Sequence, residues 1–261
     1  MRFNYDFSSS GRERTLLLLH GFISDMDSMA QIARTASPHF NILRVDLPGF
    51  GGTRSTDIDY TIETIADGLQ SLLKELGLKK VDILGYSMGG RVALSFAINY
   101  PEAVERLIIE SASPGIASLE DRQARLLIDR KRADDITANY TVFIDAWETM
   151  ALFDSQKHLM SEERSSQRRN RLAQVPKEVA DSLLKYGTGV QPSYWQRLKH
   201  ITIPVLLVVG EQDTKFKSIN SKMAEMLPDA QLVVIEGAGH NVHMESPKKF
   251  GTMMIDFLLG G

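Results

Sequence analysis

The chain has 261 residues, of which 43% are hydrophobic and 24% charged, and these proportions are typical of a globular protein rather than a disordered one. Its 30 basic and 33 acidic residues give a formal net charge of −3, which excludes a polycation of the kind that binds nucleic acid. The chain contains no cysteine, so disulfides, thiolate nucleophiles and cysteine–metal sites are excluded.

In chain order, the first stretch is MRFNYDFSSSGRERTLLLL, which carries charges where a secretory signal needs its apolar core. The longest apolar runs, such as PVLLVV, are far too short to span a bilayer. We therefore expect a soluble cytoplasmic protein with no stable membrane insertion and no nucleic-acid partner. The oligomeric state stays open at this stage.

Short β-rich runs then alternate with amphipathic helical windows, a pattern that predicts a mostly parallel sheet flanked by helices. The predicted strands of this first part are TLLLLHGF (15–22), FNILRVDLPGFG (40–51), KVDILGY (80–86) and VERLIIESAS (104–113). The predicted helices are MDSMAQIARTAS (26–37), TIETIADGLQSLLKELG (61–77) and SMGGRVALSFAINY (87–100). The second of these helices ends at Gly77, which is a typical C-cap residue.

The alternation stops after the fourth predicted strand. Residues 115–198 contain no convincing strand, yet they hold nine of the 17 arginines and both tryptophans. Alternation resumes with IPVLLVVGEQD (203–213), AQLVVIEGAGH (230–240) and a closing helix PKKFGTMMIDFLL (247–259). We predict an α/β core formed by residues 1–114 and 199–261, with a helical cap inserted at 115–198.

The segment GYSMG (85–89) matches G-x-S-x-G, the pattern of a nucleophile elbow. It follows an apolar strand and opens a helix, which is the context that such a turn requires. There the strained turn would push Ser87 outward, and small neighbours would let the chains pack closely. The other interpretation is a glycine-rich turn that carries an inactive serine.

A reactive serine needs a base to take its proton and a carboxylate to orient that base. Asp213 and His240 each follow a predicted strand, at the edge where residues that face ligands collect in open α/β sheets. We predict the triad Ser87, Asp213 and His240. Glu110 is the alternative acid, and His243 is a second histidine nearby.

The backbone N–H groups of Phe22 and Met88 are the expected oxyanion hole of such an elbow. His20, in the segment LHGF, is expected to be a structural hydrogen-bonding residue rather than an acid or base. Arg91 is four residues after Ser87 and therefore on the same helix face.

With these features, nearly the whole chain resembles the α/β-hydrolase superfamily. Epoxide hydrolases and haloalkane dehalogenases of that superfamily have an aspartate at the elbow, and dienelactone hydrolases have a cysteine, whereas this chain has Ser87. Within the superfamily, four segments resemble the family of 2-succinyl-6-hydroxy-2,4-cyclohexadiene-1-carboxylate synthase (MenH), the pyruvate-eliminating lyase of menaquinone biosynthesis. These segments are GYSMGGRVA, ESASPGIASLEDRQAR (110–125), VFIDAWE (142–148) and YGTGVQPSYWQRL (186–198). They contain the elbow arginine, the SPG turn and the GTG-x-QP run that mark this family.

The resemblance implies a small-molecule substrate with three carboxylates, bound without a metal or other cofactor. Matched by position, the substrate-binding arginines would be Arg91, Arg122 and Arg171, and the pocket aromatics would be Tyr86 and Trp147. Arg168 and Arg169 are close enough in sequence to compete with Arg171. One departure is Ala117, which stands where some members have a glutamine.

The expected reaction is therefore elimination of pyruvate from 2-succinyl-5-enolpyruvyl-6-hydroxy-3-cyclohexene-1-carboxylate, started by proton abstraction. One alternative is a serine hydrolase of esters, thioesters or carbon–carbon bonds with an anionic substrate. Another is a ligand-binding receptor that kept the fold and lost its enzyme role, although the apparent triad argues against it.

Overall fold

The computed structural model describes residues 1–55 and 58–260. This part of the chain contains seven strands: β1 (Tyr5–Ser8), β2 (Thr15–Leu19), β3 (Asn41–Val45), β4 (Val81–Tyr86), β5 (Val104–Glu110), β6 (Val205–Gly210) and β7 (Ala230–Ile235). They form one sheet in the order β1-β3-β2-β4-β5-β6-β7. Every neighbouring pair is parallel except β1 with β3, so the predicted mostly parallel sheet is confirmed.

Strand β1 was missed in the sequence. It is a four-residue edge strand, YDFS, that pairs antiparallel with β3 and is only partly buried. A short polar edge strand has neither the apolar run of a central strand nor a long alternating pattern, so little in its sequence distinguishes it from a loop.

The same described residues form ten α-helices: α1 (Ala30–Ala36), α2 (Ile62–Glu75), α3 (Met88–Asn99), α4 (Leu119–Ala138), α5 (Tyr140–Glu148), α6 (Ser161–Leu172), α7 (Pro176–Tyr186), α8 (Thr214–Met226), α9 (Val242–Glu245) and α10 (Pro247–Leu259). Short 3₁₀ segments connect several of them, at 26–29, 101–103, 151–158 and 195–200.

Strand β2 shows how the two faces of the sheet are covered. Its side chains alternate, so Leu17 and Leu19 pack with residues of α2 and α3, while Leu16 and Leu18 pack on the opposite face with residues of α1 and α10. All of β2 is buried, as expected for a central strand with helices on both faces.

Between β5 and β6 the chain leaves the sheet. Residues 111–204, all of which the structure describes, contain no strand, and α4 packs against α7. Ala133 and Ile136 of α4, Ile144 of α5 and Tyr186 of α7 belong to the same hydrophobic cluster as the core helices α2 and α3. We propose that residues 115–198 of this segment form the cap, with the boundaries predicted above.

Candidate active site

The site is centred on the turn between β4 and α3. Ser87, the single residue of this turn, has φ 51° and ψ −105°, a left-handed backbone that a residue other than glycine adopts only under strain. The glycines around it leave no room for a side chain. A Cβ on Gly85 would lie 2.5 Å from the carbonyl oxygen of Gly89, and one on Gly89 would collide with the carbonyl oxygen of Leu19. The small residues of G-x-S-x-G are therefore required by the packing of β2, β4 and α3.

The hydroxyl of Ser87 is joined to a buried imidazole and carboxylate. Ser87 Oγ lies 3.0 Å from His240 Nε2, and His240 Nδ1 lies 2.6 Å from Asp213 Oδ2. Asp213 is held in place as the N-cap of α8, where its other oxygen, Oδ1, accepts a hydrogen bond from the backbone N–H of Phe216 at 3.2 Å. The structure thus brings together the three residues that were predicted as a triad from their positions after β4, β6 and β7.

The alternative acid, Glu110, is engaged elsewhere. Its Oε2 lies 2.7 Å from His243 Nδ1, and its Oε1 accepts a hydrogen bond from the His243 backbone N–H at 2.9 Å. Both side chains are buried, so the fold contains two carboxylate–imidazole pairs side by side. The ring of Tyr86 contacts both imidazoles, with its centroid 5.6 Å from His240 and 5.1 Å from His243.

The two predicted pocket aromatics both line the cavity in front of Ser87. Burial raises the pKa of Tyr86 well above its usual value, so its phenol stays protonated. Trp147 of α5 stacks on Phe143 and meets Phe22 edge-on, with ring centroids 5.9 and 5.3 Å apart. The contact between Trp147 and Phe22 joins the cap to the core beside the predicted oxyanion hole.

The two predicted oxyanion-hole residues also reach this cavity. Phe22 and Met88 both line it, together with Ser87. Met88 is the first residue of α3, where backbone N–H groups have no partner within the helix and the helix dipole is positive. The N-terminus of α3 therefore suits a developing negative charge.

His20 has a structural position. It is fully buried, its Nδ1 lies 2.7 Å from the carbonyl oxygen of Gly21, and its Nε2 accepts a hydrogen bond from the backbone N–H of Leu47 at 2.9 Å. Burial lowers the pKa of His20, which keeps the ring neutral and able to accept that hydrogen bond. The ring thereby holds the loop after β2 against the loop after β3.

The core and the cap enclose a cavity of about 860 Å³. Ser87 and His240 open into it from the core, and Trp147 and Phe153 close it from the cap. Five arginines from four helices line it: Arg34, Arg91, Arg125, Arg132 and Arg171.

Arg91 is the arginine one helical turn after Ser87, and its backbone N–H donates to the Ser87 carbonyl oxygen at 3.2 Å. Its guanidinium donates from Nη1 to the carbonyl oxygen of Tyr186 at 2.9 Å and to Gln191 Oε1 at 2.7 Å. Burial and the nearby Arg125 lower the pKa of Arg91 to about 10, which still leaves it cationic at neutral pH.

Of the three competing arginines on α6, Arg171 is the one that lines the cavity. Its Nη1 donates to Glu148 Oε1 at 3.0 Å, and its guanidinium lies 5.4 Å from the ring centroid of Phe153. Arg168 shares Glu148 with Arg171, through the other carboxylate oxygen, and also pairs with Asp145, each ion pair at 2.6 Å. Neither Arg168 nor Arg169 is among the residues that line the cavity.

The structure does not bring Arg122 to the cavity. Arg122 is half-buried on the first turn of α4 and is not among the lining residues, whereas Arg125, one turn further along, is. Arg125 Nε lies 2.8 Å from Asp129 Oδ1, and Arg132 Nη1 lies 3.8 Å from the same oxygen. The position of α4 relative to the sheet thus exposes its second and fourth turns, rather than its first, to the cavity.

Sequence reasoning missed Arg125 and Arg132. A usable signal was present, because Arg125, Asp129 and Arg132 have the three- and four-residue spacing of one helix face. It was hidden by the many other charged residues of α4, which give that helix no clear polar and apolar sides.

A serine elbow between a strand and a helix, with an imidazole and a carboxylate supplied after two later parallel strands, defines an α/β-hydrolase type of active site. The chain belongs to the α/β hydrolase fold family, whose sequence profile matches residues 14–247. Within residues 1–55 and 58–260, no helix combines the length and apolar character needed to cross a bilayer.

Within that family, the chain is similar to proteins named 2-succinyl-6-hydroxy-2,4-cyclohexadiene-1-carboxylate synthase. It is 31% identical over 237 residues to the synthase of Escherichia fergusonii, covering 89% of this chain and 88% of that protein. A Bacillus subtilis protein given the same name provisionally is 38% identical over 246 residues, covering 93% of this chain and 89% of that protein. The solved structure of MenH from S. aureus superposes with a TM-score of 0.93 at 36% identity, covering 98% and 97% of the two chains.

Proposed function

We propose that this chain eliminates pyruvate from 2-succinyl-5-enolpyruvyl-6-hydroxy-3-cyclohexene-1-carboxylate and gives 2-succinyl-6-hydroxy-2,4-cyclohexadiene-1-carboxylate, a step of menaquinone biosynthesis. The observation that carries the proposal is one cavity that contains both the hydroxyl of Ser87, bonded to His240, and the buried cation of Arg91. The relatives named above, similar over most of the chain, support the same reaction.

The charge of the cavity fits this substrate better than an uncharged ester. The substrate carries three carboxylates, and Arg91, Arg125, Arg132 and Arg171 offer guanidiniums that can each hold a carboxylate by paired hydrogen bonds. One charge-assisted hydrogen bond contributes roughly 1.5–3 kcal/mol, which corresponds to about ten- to 150-fold in affinity. An uncharged ester would gain nothing from these cations, which are costly to bury.

In the proposed mechanism Asp213 holds the imidazole of His240, and His240 takes the proton of Ser87 Oγ. The Ser87 oxygen then removes the proton from the ring carbon that bears the succinyl group. That carbon forms a double bond to its ring neighbour, the existing ring alkene shifts by one position, and the bond from ring carbon to enolpyruvyl oxygen breaks. The abstracted proton is delivered to the methylene carbon of the leaving enolpyruvate, which becomes pyruvate, and His240 returns the serine proton to Ser87 Oγ.

The positions of the other residues suit the charge that this step develops. Removal of the ring proton places negative charge on the succinyl carbonyl oxygen, and the backbone N–H groups of Phe22 and Met88 are proposed to stabilise it. Arg91 is proposed to bind a substrate carboxylate so that the ring proton faces Ser87. Tyr86 and Trp147 provide apolar walls against the ring, and Arg125 takes the role first predicted for Arg122.

The test is pyruvate release from the succinyl–enolpyruvyl cyclohexene substrate, followed with a coupled lactate dehydrogenase. We expect release well above the spontaneous background for the wild type. Ser87→Ala should lower kcat by about 10²–10⁴-fold, since that is the usual contribution of positioned proton transfer. Release by the wild type at the background rate would reject the proposal.

A further measurement separates this reaction from ester hydrolysis, and a control variant accompanies Ser87→Ala. A serine hydrolase would turn over chromogenic acyl esters with a burst of one equivalent of leaving group, because an acyl-enzyme accumulates. We expect no such burst, because the proposed elimination forms no covalent intermediate. Ser95→Ala is a matched control for the loss of a buried hydroxyl on α3, since Ser95 bonds to Tyr194 and does not line the cavity.

We also propose a cytoplasmic location. A substrate with three carboxylates does not cross a bilayer unaided, so its producer and its consumer are expected in one aqueous compartment.

A further inference from the structure

Gln191, in the GTG-x-QP run, has no role in the mechanism so far. It lies between α7 and the 3₁₀ segment at 195–200 and is 1% exposed. Its Oε1 accepts a 2.7 Å hydrogen bond from Arg91 Nη1. Because a guanidinium can only donate, the oxygen of the amide, and not its nitrogen, must face Arg91.

The charge of Arg91 has no acidic partner in the fold. Among the residues that the structure describes, no carboxylate oxygen lies within 4.0 Å of its guanidinium, and its hydrogen bonds go to two neutral oxygens, Tyr186 O and Gln191 Oε1. Three other arginines of the cavity differ, because Arg171 pairs with Glu148, and Arg125 and Arg132 share Asp129, while Arg34 is exposed to solvent. Arg91 is therefore a buried cation held by dipoles alone.

A glutamate at position 191 would pair with Arg91 and would have nearly the same shape. The glutamine instead leaves its own Nε2 buried without a partner in the described part of the chain. An unsatisfied buried amide N–H and an uncompensated buried cation are both unfavourable, and burial lowers the pKa of Arg91 to about 10. This combination persists at a site that opens into the catalytic cavity.

We propose that Gln191 is a positioning residue that fixes the guanidinium of Arg91 through a neutral oxygen and so leaves its positive charge available to a substrate carboxylate. This inference rests on the proposed function and deepens it. A guanidinium already paired with an acidic side chain would have to exchange that partner for the substrate. One held by an amide and a peptide carbonyl offers its full charge when the carboxylate arrives.

The test compares two substitutions of similar volume in the intact chain, Gln191→Glu and Gln191→Met, by pyruvate release over a range of substrate concentrations. Gln191→Glu keeps the hydrogen bond to Arg91 but neutralises it, so KM should rise by about 10- to 100-fold with a smaller change in kcat. Gln191→Met removes the bond and leaves the charge free, so KM should rise by less than about tenfold. Gln196→Glu, at an exposed position nearby, is the control for added charge and should behave as the wild type.

The test depends on which of the two variants has the higher KM. If Gln191 only supported its loop, Glu would preserve the bond and Met would be the more harmful change, so a higher KM for Gln191→Met than for Gln191→Glu would overturn this role. A lower Tm for Gln191→Glu than for Gln191→Met would also contradict it, because the new ion pair should not weaken the fold. A wild type that released no pyruvate would instead reject the proposed function, and this role with it.

Discussion

At the scale of single residues, two carboxylates are candidates for the acid of this site. Glu110 is the last residue of β5 and Asp213 follows β6, at the same sheet edge, and each is buried against an imidazole. Only Asp213 contacts the imidazole that reaches Ser87 Oγ, at 2.6 Å from His240 Nδ1. A carboxylate at this position fixes the tautomer of the ring, so that Nε2 can accept the serine proton.

Replacing Asp213 by Asn should lower kcat for pyruvate release by about 10²–10⁴-fold, because an amide can donate to Nδ1 and favour the wrong tautomer. Glu110→Gln is the matched control. It replaces the carboxylate of the neighbouring pair, Glu110 with His243, by an amide and should lower kcat by far less. Steady-state kinetics on the two purified variants measure this directly, and a larger loss for Glu110→Gln would reverse the assignment of the acid.

At the scale of elements, the elbow depends on how closely β2, β4 and α3 approach. Gly89 lies in the first turn of α3, where intrinsic helix propensity favours alanine over glycine by about 1 kcal/mol. Packing opposes this preference, because a Cβ there would meet the backbone of Leu19, which cannot move aside without shifting β2. Tertiary contact should therefore outweigh propensity at this position.

Gly89→Ala is expected to lower the free energy of unfolding by at least about 2–3 kcal/mol, as overpacking against a fixed backbone does. Gly77→Ala is the comparison, since Gly77 has φ 70° but open space around it. That substitution should lower the free energy of unfolding only by the strain of a left-handed alanine, about 1–2 kcal/mol. Urea denaturation of both variants tests the order. A Gly89→Ala variant as stable as the wild type would show that β2 and α3 separate more easily than the contacts indicate.

At the scale of the whole molecule, cap and core share one interior. Ile136 and Ile144 of the cap lie in the same buried cluster as the core strands, and Tyr186 of α7 donates to the carbonyl oxygen of Pro48 at 2.8 Å. Polar contacts join them too, since Asn170 Nδ2 donates to Asp25 Oδ2 at 2.6 Å. A cap packed in this way should not unfold independently.

Both tryptophans, Trp147 and Trp195, lie in the cap segment, so tryptophan fluorescence reports on the cap and far-ultraviolet circular dichroism on the whole chain. We expect the two probes to give the same midpoint in thermal and urea unfolding, as in a single cooperative transition. A fluorescence midpoint clearly below the dichroism midpoint would show instead that the cap opens first.

The sequence alone was enough to predict the mostly parallel sheet, the elbow and the acid and imidazole that the structure joins to Ser87, because these depend on local signals and one general rule. Apolar runs mark buried strands, the G-x-S-x-G spacing marks the strained turn, and the carboxyl ends of parallel strands converge on one edge. Asp213 and His240 could therefore be predicted from their positions after strands, without knowledge of any contact. The weak edge strand β1 lacked such a signal.

Only the tertiary structure decided which charged residues face the cavity and what holds them. The choice of Arg125 over Arg122 depends on how α4 is positioned against the sheet, and the engagement of the alternative acid, Glu110, with His243 rather than His240 depends on which imidazole each carboxylate reaches. The neutral partners of Arg91 lie 95 and 100 residues away in sequence. Contacts at such separations are set by packing of the cap on the core, and no local pattern encodes them.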